Sequence, residues 1–376
     1  MPRSTLLQCT WSLRLKLELP GVDNYVFGGA VYFPQYSYSR HILLYCNAPY
    51  YNIFVYRKVM MNTILKSIYA RVLVSAFCIT LSSAEQTNAD EKASSSPSRH
   101  VRLLAIGNSF SKNATRYLPD IVKAAGDQLT FQHICIGGCP LEKHWKNAEA
   151  FQKGSTQVMA SAWSALTAEK WDFVTIQQYS MYSFKIETYR PYAKLLHDYI
   201  KGKNPQAALL IHETWAYRED DPLFKKTMTQ QEMYWRVRNA YETIASELGC
   251  RIIPSGDAFE NARTDPDWKG VFPDPKFDYK RTQYPDLPDQ THSLHAGYSW
   301  KKAGNKWKLN IDGHHAGPAG EYLAAAVWYE TLFGKSIVGN TFVPNHIKQD
   351  KIMILQRIAH KTVTENIRPP EVNKLH

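Results

Sequence analysis

The sequence predicts an α/β protein: a three-layer α/β/α sandwich around a central parallel sheet of about five strands. Three observations lead to that class. Five short apolar runs recur along the chain, at 101–109, 129–138, 171–178, 208–215 and 251–256. Segments with helical spacing fall between them, which is the alternation of βαβ units. Across 376 residues, 44% hydrophobic and 21% charged, the composition is that of a globular protein and excludes whole-chain disorder or a collagen-like repeat.

The first run, VRLLAIGNS (101–109), is apolar on both faces up to its Gly-Asn-Ser end, as a buried parallel strand must be. Tyr117–Gly126 reads as a helix with Pro119 in its first turn and Gly126 as its stop. LTFQHICIGG (129–138) is the second strand, closed by a glycine pair; WDFVTIQQ (171–178), ALLIHETW (208–215) and RIIPSG (251–256) are the third, fourth and fifth. Helices are expected over Glu187–Lys203 and over Gln230–Leu248, the latter capped by Gly249. Gly317–Phe333 carries Tyr322, Leu323, Ala326, Val327, Tyr329 and Glu330 at helical spacing. A last helix over 347–368 sets Ile352, Leu355 and Ile358 on one side. Only 265–311 breaks the rhythm, with five prolines, three tryptophans and five other aromatics. That is too long for an idle connection and reads as a lid or binding loop.

Residues 61–84 place Lys66 and Arg71 before the apolar stretch Val72–Leu81, and Ser82-Ser83-Ala84 after it. This is the order of a secretory signal peptide. A membrane-spanning helix needs about 20 apolar residues, roughly twice this run. Sixty residues precede it, and Met60 and Met61 stand where a start is expected, so 1–59 reads as upstream sequence from an over-extended gene model. The expected division is therefore signal peptide at 60–84, flexible polar linker at 85–100, folded domain at 101–335 with the insertion 265–311, and a helical extension at 336–376. The expected location is secreted or periplasmic, without stable membrane association once the signal is cleaved.

The net charge is +11, but residues 1–84 hold eight Lys/Arg against two Asp/Glu, and the rest hold 37 against 32. No cationic run stands out in the folded part, so nucleic acid is not an expected partner. Cys135, Cys139 and Cys250 are the cysteines of that part, and an odd number leaves at least one thiol free.

Ser109, in GNSFS, follows a buried strand and precedes a helix. Its hydroxyl is placed at a strand's carboxyl end, where open parallel sheets bind ligands, beside amides that favour developing negative charge. A helix cap at Ser109 or Ser111 would leave the same trace. In IDGHHAGPAGEYLAAAVW, two residues separate Asp312 from His315. A carboxylate at that spacing can hold one ring nitrogen and leave the other to take a proton from a serine. His292, His295, His314 and His315 could instead serve a metal, yet no cysteine or carboxylate adds a recognisable ligand spacing. Neither a metal nor an organic cofactor is expected.

GNSFS, CIGGCPLEKHW, IQQYS and DGHH, in that order, resemble the blocks of the SGNH (GDSL-like) hydrolases, and more closely a bacterial branch of them. The resemblance covers about 101–335 and implies a flavodoxin-like SGNH fold. It implies Ser109 as nucleophile, His315 and Asp312 as its partners, and an oxyanion hole from the amides of Ser109 and Gly138, with Gly137 the alternative. The family's asparagine after the third strand is absent; Gln178, or else Gln177, carries the same amide donor on a longer stem. The implied reaction is acyl transfer from a carboxylic ester, expected to be O-acetyl and on carbohydrate. Trp268, Phe272, Tyr298, Trp300 and Trp307 fit stacking on sugar faces, and ordinary loop packing is their other account. His314, Trp215 and Trp300 are the expected substrate contacts. His212 and Glu213, at the fourth strand's end, either face the pocket or are satisfied internally. A catalytically weak carbohydrate-binding protein on this fold, a lipid or short-chain esterase, and a metal hydrolase are the alternatives.

Overall fold

The five apolar runs pair into one parallel sheet. The computed structural model describes residues 97–225 and 228–365. Its strands are β1 (His100–Gly107), β2 (Gln128–Cys135), β3 (Phe173–Ile176), β4 (Ala208–His212) and β5 (Arg251–Ile253). They lie in the order β2-β1-β3-β4-β5, every neighbouring pair parallel. This is the flavodoxin-type doubly wound order, whose switch point lies between β1 and β3. The interior strand β1 is apolar from Leu103 onward, Leu103–Ile106 being at most 1% exposed, whereas the edge strand β2 buries only Ile134. The readings placed on 1–59, 60–84 and most of 85–100 lie outside the described residues, as does the end of the C-terminal extension.

Helices α1 (Ser109–Thr115) and α2 (Leu118–Ala124) cross from β1 to β2. Helix α3 (Leu141–Gln152) and the short helical turns at 158–168 lead to β3, α4 (Tyr192–Lys203) to β4, and α5 (Gln230–Leu248) to β5. Parallel crossovers are right-handed, so the reversal of strand order at β1 puts α1 and α2 on one face of the sheet and α3, α4 and α5 on the other. The first face is completed by α6 (Ser255–Thr264), α7 (Pro318–Phe333) and α8 (Gln349–Thr364). Helix α7 packs against α1, α2, α6 and α8. Residues Tyr322–Tyr329 are at most 2% exposed, so it is apolar all round, as a fully enclosed helix must be.

Local signals held where caps were present. Helix α5 matches its expected span because the Thr229 side chain accepts the Glu232 amide and Gly249, at φ 62°, ends it in the left-handed conformation. The helix expected from Glu187 begins only at Tyr192, because Pro191 interrupts it and 186–189 form a separate 3-10 turn. Helix α6 was not anticipated: the PSG that reads as a strand end is its first turn.

The largest difference lies in 265–311. This stretch contains β6 (His295–Ala303) and the start of β7 (Lys306–Ala316), an antiparallel hairpin. KWKLNI within it alternates polar and apolar residues, the mark of a half-buried strand, but its surroundings of proline and aromatics obscure it. Asp312–His315 therefore sits on a strand rather than in a loop ahead of α7. Among the described residues, Cys135, Cys139 and Cys250 are free thiols.

Asp127 ties the ends of the domain together. Its buried carboxylate accepts from the Arg99 amide at 2.8 Å, the Tyr329 hydroxyl at 3.0 Å and Lys335 Nζ at 2.7 Å. Burial raises its pKa, but these donors outweigh burial and hold it below the ordinary carboxylate value. A depressed carboxylate contributes stability that is present above its unfolded pKa and lost as pH falls through the folded one. Asp127→Ala should cost about 3 kcal/mol at pH 7. In urea titrations the gap to wild type should narrow steadily below pH 4.

Candidate active site

The loop that carries Ser109 starts at Gly107, where a Cβ would meet Gln177 Cγ at 2.8 Å. The next residue, Asn108, is fully buried and caps α1: its Oδ1 accepts the Phe110 amide at 3.1 Å and its Nδ2 donates to the Cys139 carbonyl at 3.2 Å. The cap is thus Asn108, not Ser109 or Ser111. Ser109, first residue of the helix, keeps its hydroxyl for other partners. On the neighbouring strand end, Ile136–Cys139 forms a turn closed by the Cys139 amide on the Ile136 carbonyl at 3.2 Å, with Gly138 at φ 60°. A third-position residue with positive φ is the requirement of a type II turn, and glycine meets it without strain.

Both glutamines after β3 are buried and engaged, which corrects the expectation for them. Gln178 Oε1 accepts the Leu141 and Tyr179 amides at 3.0 and 2.8 Å, and its Nε2 donates to the Thr188 carbonyl at 2.8 Å. Gln177 Oε1 accepts the Ser111 amide and hydroxyl at 3.0 and 2.9 Å, and its Nε2 donates to the Gln178 carbonyl at 2.6 Å. Gln178 has both N–H groups engaged, the second on Thr188 Oγ1 at 3.2 Å, and Gln177, which keeps one N–H, does not line the cavity at Ser109. Gln178 instead caps α3 just beyond the glycine turn, and Gln177 fixes the first turn of α1. They position the two loops that flank Ser109.

The hairpin brings in the other two residues. His315 Nε2 lies 2.9 Å from Ser109 Oγ, and His315 Nδ1 lies 2.9 Å from Asp312 Oδ2. Asp312 Oδ1 also accepts the His315 amide at 3.0 Å and stands 3.2 Å from His314 Nδ1. Three further contacts fix this strand against the sheet. The Arg218 amide donates to the Gly313 carbonyl at 2.7 Å, and Trp215 Nε1 donates to the His314 carbonyl at 2.9 Å. Gly313 abuts Asp221, whose Oδ2 would lie 2.7 Å from a Cβ there. Burial opposes ionisation of Asp312, but the ring and amide of His315 and the charges of both histidines hold its carboxyl well below the ordinary range. His314 is shifted down, by burial and by His315, against the pull of Asp312 and Asp221.

Ser109, Gly137, Gly138, His314 and His315 open onto one cavity of about 530 Å³, a size usual for small-ligand sites. The remaining wall is Phe110, Tyr179, Ser180, Met181, Tyr217 and Asp221, with Leu223. Tyr179 and Ser180 directly follow the third strand, and Tyr217 and Asp221 follow the fourth. The rule that ligands meet strand carboxyl ends pointed there, but a few residues too early on β4. His212, Glu213 and Trp215 are at most 1% exposed. His212 packs on Trp328 at 4.9 Å and Glu213 accepts the Asp257 amide at 3.2 Å, burial pushing its carboxyl up to about 8.

Trp215 is thus a positioning residue and not a substrate contact: it stacks on Phe259 at 4.4 Å while its N–H holds His314. Trp300 is also corrected. It lies out along the hairpin, does not line the cavity, and donates to the Asp286 carbonyl at 2.9 Å. The other insertion aromatics serve packing as well. Trp268 stacks on His292, Phe272 and Tyr298 flank the Arg218 guanidinium, and Trp307 stacks on Tyr284. Among the described residues, the one group compact enough for a metal is Asp312, His314 and His315, with ligand atoms within 4.8 Å of one another. His292 and His295 are not part of it, and His295 Nε2 faces the Ala216 carbonyl.

The family profile described as a domain of unknown function, DUF4886, matches residues 102–274. No curated protein matches the chain. Weak likenesses extend to a candidate SGNH hydrolase from Slackia heliotrinireducens (24% identity, TM-score 0.40, 62% of this chain and 98% of that one). Another is a variant of an acetyl-xylooligosaccharide esterase from Geobacillus stearmophilus (14%, 0.38, 64% and 97%). Stronger than either is the likeness to a DUF4886 family protein from Bacteroides uniformis, at 27% identity and a TM-score of 0.56, over 74% of this chain and the whole of that one.

Proposed function

We propose that this chain is an SGNH-type serine esterase that hydrolyses carboxylic esters, chiefly O-acetyl esters of carbohydrate, through an acyl-enzyme. The observation that carries the reading is the unbroken line Asp312–His315–Ser109, with both links at 2.9 Å, at the mouth of the cavity. Asp312 fixes the ring with its proton on Nδ1, so Nε2 is the base. His315 takes the Ser109 proton as Oγ attacks the ester carbonyl, then gives it to the leaving alcohol. Water enters and adds to the acyl carbon as His315 takes its proton; the Ser109 Oγ–acyl bond then breaks, His315 returns the proton to Oγ, and the acid leaves.

The amides of Ser109 and Gly138 serve as oxyanion donors in this mechanism, each expected to contribute about 10²–10³ in rate. Ser180 Oγ and Tyr217 Oη share one hydrogen bond at 2.8 Å. Two hydroxyls sharing one bond leave one O–H to donate, here to a substrate oxygen. The acceptors Asp221 and His314 on the same wall favour a hydroxylated alcohol over an alkyl chain. Export through the segment at 60–84 would place the enzyme where such polymers are met.

Fluorophosphonate labelling followed by peptide mapping tests the assignment. The tag is expected on Ser109, and EDTA should leave the labelling rate unchanged because both His315 nitrogens already have partners. A tag on another serine, or loss of labelling with the chelator, overturns the reading.

A further inference from the structure

The outer part of the β6–β7 hairpin is strongly cationic. Lys301, Lys302, Lys306 and Lys308 are all exposed, and none forms an ion pair among the described residues. The only carboxylate on either strand is Asp312, which is held by His314 and His315. Lys301 stands directly opposite Lys308, and like charges facing each other across a ladder destabilise it. The arrangement works against the hairpin unless an anion offsets it.

Side chains alternate along a strand, so Lys306, Lys308, Asn310 and Asp312 share one face of β7 up to the register shift that follows Asp312. Ser299 and Lys301, paired with Asn310 and Lys308, extend that face onto β6. The opposite face carries Trp300, Lys302, Trp307 and Leu309, and Tyr284 braces it by stacking on Trp307 at 4.4 Å. A polar face bearing Lys301, Lys306 and Lys308 therefore runs from the hairpin tip to Asp312, which stands 3.2 Å from His314 on the cavity wall. Lys306 and Asp312 are six residues apart, roughly 20 Å along the strand, a span that one small ester cannot bridge and a polymer can.

We propose that this face binds an anionic polysaccharide, its charge carried by carboxylates, and leads its ester groups to Ser109. The binding claim stands on the hairpin alone; the delivery claim rests on the esterase reading. The three cations of this face are lysines, point charges that suit spaced carboxylates. Nucleic-acid phosphates are more often met by arginine forks.

The test measures affinity for polygalacturonate at about 50 mM salt, using the full chain with Ser109→Ala so that turnover does not intervene. Adding Lys301→Gln, Lys306→Gln and Lys308→Gln together should weaken binding at least tenfold. The gap should close as salt approaches 1 M, where charges are screened within about 3 Å. The melting temperature should not fall, since the Lys301–Lys308 repulsion is removed. With Ser109 present, the three-lysine variant should hydrolyse p-nitrophenyl acetate at the wild-type rate. Equal affinity of the two proteins, or neutral xylan bound as tightly as polygalacturonate, overturns the proposal. So does tighter binding of duplex DNA or phosphatidylserine vesicles at equal charge. Lysine-dependent binding by a protein that proves to have no esterase activity keeps the surface and removes only the reaction.

Discussion

Ser109→Ala should lower kcat/KM on p-nitrophenyl acetate by about 10⁴–10⁶, the range seen when one member of a serine triad is removed. The loss should fall on kcat, because the cavity wall and the amides that receive the carbonyl are untouched. His315→Ala should cost a similar factor, and the double variant little more, since the two act on one proton. Stability supplies a second readout. Were Ser109 the helix cap, its removal would cost about 1 kcal/mol. Asn108 is the cap in this structure, so the Ser109→Ala melting curve should overlay the wild type. Equal slow hydrolysis by wild type and variant would return the protein to a binding role on the same fold.

The legibility of this fold followed the physics that operates locally. β1 could be read because an interior parallel strand is apolar on both faces, and α5 because Thr229 and Gly249 mark its ends. The order of the sheet and the pairing of Ser109 with His315, 206 positions apart, were legible only through the Asp-x-x-His spacing and the resemblance of the motif blocks, because neither the crossover rule nor the strand-end rule fixes which distant segments meet. What stayed hidden depends on which partner a polar group finds. Gln178 has the donor an oxyanion hole needs, but whether that donor is free is decided by Thr188, ten residues on. Trp215 lies next to the pocket in sequence and behind it in space, because Phe259 and the His314 carbonyl claim both its face and its N–H. The lysines at 301, 306 and 308 are interrupted in sequence by Trp307 and the turn, and become a patch only when β6 folds onto β7.

Asp312→Asn should reduce kcat/KM by about 10⁴ while leaving the fold intact. The asparagine Oδ1 can still accept the His315 amide that Asp312 Oδ1 accepts at 3.0 Å, so the turn of the strand is kept. Only the atom facing His315 Nδ1 changes, from the acceptor Oδ2 at 2.9 Å to an N–H donor. Two donors cannot share that contact, so the ring must turn its lone pair to position Nδ1 and carry its proton on Nε2, against Ser109 Oγ. A protonated Nε2 cannot take the serine proton. The same substitution removes a charge whose carboxyl is held well below its ordinary pKa. Its stabilising effect is present above the unfolded pKa and lost as pH falls through the folded one, so the variant's deficit in melting temperature should shrink in acid while its kinetic deficit persists at neutral pH. A rate loss that instead tracks the melting temperature across pH would mean that Asp312 only braces the strand. Asp312→Glu separates the two further: it keeps the charge but lengthens the stem, so it should retain the acceptor and lose mainly the alignment of the ring.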